Sequence, residues 1–233
     1  LMPSRYVLTT SSTKVAQHLQ LIEQVRRGEP VAIRWDAYPM AGYSEVSVCA
    51  PGAPGRFARV VGTLTANGIN ILTAQLFSRA DGVMIRTFQV SDGRGAALGD
   101  ETVWHRFARD LKGVILEQVA VRDLIKARRR DLLAKPTPGA REMQTRVEFD
   151  DLVSDRYTVI DIRAPDRLGL LYVISSTLSD MDLDVALAKI ATEVDQAVDV
   201  FYVTEKDGSK VAEGDRMEAI RQALVHAIAE GIA

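Results

Sequence analysis

A single cysteine, Cys49, stands among 233 residues. The chain can therefore close no internal disulfide, and such sparse thiol usage favours an intracellular, cytoplasmic setting. Its place in an alternating run reads as a small strand residue and not as a nucleophile. Histidine is nearly as scarce: His18, His105 and His226 are scattered, and none is followed by Asp. None pairs with Cys or a carboxylate at metal-ligand spacing, so no metal site is expected. A Gly-Lys-Ser/Thr phosphate loop, a nucleophile elbow and a Gly-x-Gly-x-x-Gly turn are all missing. The acids Asp150-Asp151, Asp182 and Asp184 fall at turns or strand edges, where solvated carboxylates are the plainer reading. No catalytic residue and no cofactor are expected in this chain.

The formal net charge of −2 gives no electrostatic reason to expect nucleic acid or an anionic membrane. A basic run over 126–130, with Arg128-Arg129-Arg130, reads as a solvated helix end or linker face. No apolar stretch approaches a membrane span, and Leu1-Met2-Pro3-Ser4 opens no signal pattern. The Leu1-Met2 start suggests a piece of something longer. Aromatic residues are few, and Phe201 and Tyr202 are adjacent, so they point to opposite strand faces and offer no base-stacking platform. The 47% hydrophobic and 26% charged residues that remain describe a soluble globular protein, with enough chain for two cores.

What is present is a repeat. Val46 to Phe57, centred on Pro51-Gly52-Ala53-Pro54-Gly55, is replayed by Ile160 to Leu171, centred on Pro165-Asp166-Arg167-Leu168-Gly169. The offset from Gly55 to Gly169 also pairs Trp35 with Phe149, Tyr43 with Tyr157, Leu64 with Leu178 and Asp81 with Asp195. Two copies of one small domain are implied, and such pairs often bind ligands between copies. An N-terminal helical segment is expected over 1–30, a first domain over 31–130, a linker over 131–144 and a second domain over 145–233. The break Lys135-Pro136-Thr137-Pro138-Gly139 marks the linker.

Each copy reads as strand-helix-strand-strand-helix. The spacing predicts strands at 31–35, 44–50, 69–78 and 83–90, with helices around Phe57 to Leu64 and from Asp100 onward to Leu116 and Leu124. The second copy predicts strands at 146–149, 157–164, 183–192 and 197–204 and helices at 170–178 and 215–229. The fold class is α+β: two tandem ferredoxin-like domains, antiparallel sheets with helices on one face. The last strand of the usual fold is missing, and an extra strand before the first is expected to take its edge. Trp35 and Phe149, matched on those extra strands, are expected to serve the contact between copies. Met84, Phe88, Trp104 and Phe107 read as core.

The candidate site is the strand-to-helix loop. A helix N-terminus exposes unpaired N–H groups and partial positive charge, which suits a carboxylate. In the second copy this selects Asp166, Arg167, Gly169 and Leu170. Asp166 is either an N-cap or a partner for a ligand ammonium group. Asp184, at the start of the next strand, is placed beside that loop. In the first copy the matching positions are Gly55, Arg56 and Asn70, with Gly52 where Asp166 stands. Losing two carboxylates weakens ammonium binding there, so the two sites are expected to differ.

Asp166-Arg167-x-Gly169-Leu170-Leu171, the Asp182-Leu183-Asp184-Val185 turn, Ala188-Lys189-Ile190-Ala191-Thr192 and Asp199-Val200-Phe201-Tyr202-Val203-Thr204 together resemble the ACT domain, a family of amino-acid-binding regulatory modules. With Arg5-Tyr6-Val7-Leu8, the tandem layout resembles the C-terminal ACT region of the bifunctional PII uridylyltransferase and uridylyl-removing family. The resemblance implies a glutamine sensor for nitrogen assimilation. Its partners would be the catalytic domains of a parent protein and, through them, PII, with a homodimer as a candidate assembly. The family's nucleotidyltransferase and hydrolase motifs have no counterpart here. The competing reading is a ligand-free scaffold for dimerisation or for docking catalytic domains.

Overall fold

The computed structural model describes residues 2, 4–132, 144–167, 169–193 and 196–231. The predicted break at 135–139 and most of the linker lie outside them. In chain order come α1 (Ser4–Thr9), α2 (Ser12–Arg26), β1 (Ala32–Tyr38), β2 (Tyr43–Pro51), α3 (Arg56–Ala66), β3 (Asn70–Ser78), β4 (Val83–Ser91), α4 (Glu101–Ile115) and α5 (Val121–Leu132). The second copy follows as β5 (Arg146–Asp150), β6 (Thr158–Pro165), α6 (Leu170–Asp180), β7 (Leu183–Lys189), β8 (Thr192–Glu193), β9 (Gln196–Glu205) and α7 (Asp215–Glu230).

The two sheets have matching orders, β1-β2-β4-β3 and β5-β6-β9-β7, antiparallel throughout, with the short β8 on β9. β1 and β5 occupy the edge beside β2 and β6, as the missing last strand required. Alternation puts Val46, Val48, Phe88 and Val90 on one face, where they meet Phe57, Val60 and Leu64 of α3 and Trp104 and Phe107 of α4. Ile160, Ile162, Phe201 and Val203 meet α6 and α7 in the same way. Each such side chain taken fully from water stabilises the fold by about 1.5–3 kcal/mol.

The sheets lie edge to edge: β3 runs beside β7, and α3 packs on α6 and α5. Gly62 lets the helices approach. A Cβ there would fall 2.4 Å from Val121 Cγ1 and 2.6 Å from the Tyr172 ring.

Four details depart from expectation. The first sheet has a helix on its other face too: Leu21, Ile22 and Val25 of α2 cover Ala32, Cys49, Val83 and Ile85, so the N-terminal segment packs as part of the first copy. Trp35 and Phe149 do not lie between copies, because β1 and β5 are the far edges. Trp35 instead stacks on Trp104 at 5.6 Å, and Arg221 covers Phe149 at 5.4 Å. The helix begun at Asp100 does not continue to Leu124. Glu117 turns left-handed at φ 60°, with Gln118 N–H on Gly113 C=O and Glu117 N–H on Val114 C=O, a closing motif usually built on glycine. Finally, Arg128 is not a solvated linker residue. It ion-pairs with buried Asp110 at 2.7 Å and donates to the Ala66 carbonyl at the end of α3.

Candidate functional site: two pockets at the interdomain loops

Each strand-to-helix loop ends in a glycine at the helix N-cap, Gly55 at φ 68° and Gly169 at φ 87°. This left-handed backbone is costly for residues with a Cβ. Neither cap makes a side-chain hydrogen bond to its helix, so Asp166 is not the N-cap of α6. The first amide of each helix donates back to its own loop, Arg56 N–H to the Ala53 carbonyl and Leu170 N–H to the Arg167 carbonyl.

The pairing of loops with strands crosses between copies. The first-copy loop, with Gly52, Gly55 and Arg56, shares a cavity of about 390 Å³ with Asp184 at the start of β7. The second-copy loop, with Asp166, Arg167, Gly169 and Leu170, faces Asn70 at the start of β3. Asp184 therefore does not lie beside the loop of its own copy. The close approach of Gly55 to α6, where an added Cβ would sit 2.9 Å from Ser179 Oγ, shows how tightly the first loop abuts the other domain.

The rooms differ in size. The second-copy site holds only about 20 Å³, enough for a water. Arg167 donates to the Ile228 carbonyl at the end of α7. Space for an amino acid lies at the first-copy loop, the one with fewer carboxylates.

They also differ in charge, through two residues that sequence reasoning missed. Val48 pairs with Arg86 across β2 and β4; its repeat partner Ile162 pairs with Asp199 across β6 and β9. Arg86 and Asp199 thus hold one position in two copies. Both are 2% exposed, and each lines its own copy's site. Arg86 Nε and Nη1 have no hydrogen-bond partner, nor have Arg56 Nε and Asp199 Oδ1. Burial, with the like charge of Arg56 second, pulls the Arg86 pKa down to about 10. Burial, helped by the charges of Asp166 and Asp161, pushes Asp199 up to about 7. A charge at an inward strand position, within Met84-Ile85-Arg86-Thr87-Phe88 and Val198-Asp199-Val200-Phe201, was the signal available.

Cys49 faces α2, away from both sites, and burial pushes its thiol up to about 11. Among the described residues no group of three or more His, Cys, Asp or Glu could hold a metal ion.

The architecture defines a class: a tandem of ferredoxin-like α+β domains, packed edge to edge, with loop-lined pockets between copies. Residues 146–232 match the family model for an ACR9-like, ACT-like domain, so an ACT-like domain is present in the second copy. Over 213 residues the chain is 33% identical to the bifunctional uridylyltransferase/uridylyl-removing enzyme of Novosphingobium aromaticivorans, covering 91% of this chain and 23% of that enzyme. The enzyme of the same description from Gluconobacter oxydans is 30% identical over 226 residues, 96% of this chain and 23% of the relative. The chain thus spans about a quarter of the length of these curated relatives. Among solved structures, aspartate kinase from Synechocystis aligns at 19% identity and a TM-score of 0.42, over 79% of this chain and 27% of that one.

Proposed function

We propose that this chain is an amino-acid-binding regulatory region of a bifunctional uridylyltransferase/uridylyl-removing enzyme, with glutamine as its ligand. The observation that carries the reading is the interdomain cavity. The N-terminus of α3, which has no side-chain cap, suits a carboxylate on one wall, and Asp184 on another suits an ammonium group. The relatives and the ACT-like match support a regulatory role, and glutamine comes from the resemblance of the motifs. Catalytic domains, and through them PII, are the partners this reading entails in the cytoplasm, and β1 and β5 are the outer edges where a second copy would pair.

A ligand seated between the copies bridges the α3 loop and β7, so its binding changes how the domains pack. That is a route by which occupancy would reach attached domains. Thermal unfolding against glutamine, glutamate, serine and other amino acids tests the proposal. Glutamine at a hundredfold excess over its dissociation constant should add about 2.7 kcal/mol of stability, and Asp184→Ala should abolish the shift. No shift with any amino acid would sink the reading and favour a ligand-free scaffold.

A further inference from the structure

Arg86 is a buried cation without a counter-ion. Two of its three guanidinium nitrogens have no partner, and the third, Nη2, reaches only the Met84 thioether at 2.9 Å, a weak acceptor. No carboxylate among the described residues forms an ion pair with it. Leaving a charge so placed is strongly unfavourable, and the usual remedies are a paired anion or replacement by an apolar side chain.

The position borders open space. Arg86 lines the cavity between the first-copy loop and β7, as does Arg56, whose Nε also lacks a partner. The first turn of α3, capped by Gly55 with no side-chain hydrogen bond, begins at Arg56. Two guanidinium groups and a helix N-terminus therefore line one cavity, and each favours negative charge. The other copy supplies the contrast. The matching position holds Asp199, a carboxyl, and the space beside it is closed to anything larger than water. The cation accompanies the room for a ligand, and the acid accompanies its absence.

We propose that Arg86 is the anion anchor of the interdomain cavity, its guanidinium group seating the carboxylate of a small organic acid beside the first turn of α3. Arg56 lends a second donor from the loop. This deepens the amino-acid reading of the cavity by naming what holds the ligand's carboxylate, while Asp184 answers only for its ammonium group.

The test is calorimetric titration of the chain with four probes: glutamine, glutaminamide (no carboxylate), glutarate (no ammonium) and inorganic phosphate. The variants are Arg86→Met, Arg56→Gln and Asp184→Asn. Arg86→Met should weaken glutamine and glutarate by roughly tenfold to a hundredfold, and its ligand-free melting temperature should match or exceed the parent's. Arg56→Gln should weaken both severalfold, and it carries the test if Arg86→Met does not fold. Glutaminamide should bind the parent no better than it binds Arg86→Met.

If glutarate binds through Arg86 and glutamine does not bind, the anchor stands and the amino-acid reading falls. If folded Arg86→Met binds glutamine or glutarate as tightly as the parent, the anchor is wrong. Binding of phosphate alone, or of none of the four probes, overturns the carboxylate assignment.

Discussion

Replacing Asp199 with asparagine should stabilise the protein at pH 8 and leave it nearly unchanged at pH 4. The carboxyl sits on β9 facing the helices, 2% exposed, with Oδ1 unpartnered. Burial is the main cause of its raised pKa of about 7, and the charges of Asp166 and Asp161 add to it, while a backbone hydrogen bond from Ala191 works the other way. A carboxyl whose folded pKa exceeds its unfolded value binds its proton more tightly in the native state. Stability is therefore greatest below the unfolded pKa, falls as pH rises, and levels off above pH 7. The interval of about three pH units corresponds to about 4 kcal/mol.

His18 opposes it. Buried between Tyr6 Oη at 2.9 Å and Ser47 Oγ at 3.2 Å, it has its pKa lowered to about 4, first by burial and then by the charge of Lys14. Its contribution is present above pH 6.5 and is lost as pH falls toward 4, about 3 kcal/mol in all. Over pH 4–7 the two slopes nearly cancel in the parent, and Asp199→Asn should expose the histidine slope alone. Urea unfolding followed by circular dichroism at pH 4.5, 6 and 8 reads the difference directly. A variant whose stability tracks the parent at every pH would refute the argument.

Two further perturbations probe the frame that positions the site. Gly62→Ala puts a methyl group 2.4 Å from Val121 Cγ1 and 2.6 Å from the Tyr172 ring, so overpacking should cost about 1–3 kcal/mol. An unchanged melting temperature would mean that α3 and α6 are not held at this separation. Asp182 holds the left-handed position at φ 63° that Gly68 holds in the first copy at φ 71°, so Asp182→Gly should gain up to about 1 kcal/mol. Chemical denaturation checks this, and a loss of stability would show that the Lys206 ion pair with Asp182 outweighs the backbone strain.

The repeat made the strand order legible, because matching Trp35 with Phe149 located β1 and β5 and the edge they fill. It could not show which loop meets which strand. That needs β3 beside β7, a contact between residues more than a hundred positions apart, and it sends Asp184 to the Gly55 loop instead of to Asp166. The constant offset also hid the central pair. On the last strand Phe88 corresponds to Phe201 and Arg86 to Asp199, one position fewer than Gly55 to Gly169, because the turns before β4 and β9 differ in length. The end of α4 was opaque for a local reason, since Glu117 adopts a conformation that the residue type does not advertise. Arg128 reads as one of three consecutive arginines until α5 folds back on α3 and brings Asp110 within reach.

Calorimetric titration of the intact chain with glutamine is the most direct measurement, with stoichiometry as the quantity to read. One cavity has room for an amino acid and its repeat counterpart does not, so one glutamine should bind per chain, and Asp184→Ala should remove that event. Two equivalent sites per chain, or no binding at any accessible concentration, would contradict it.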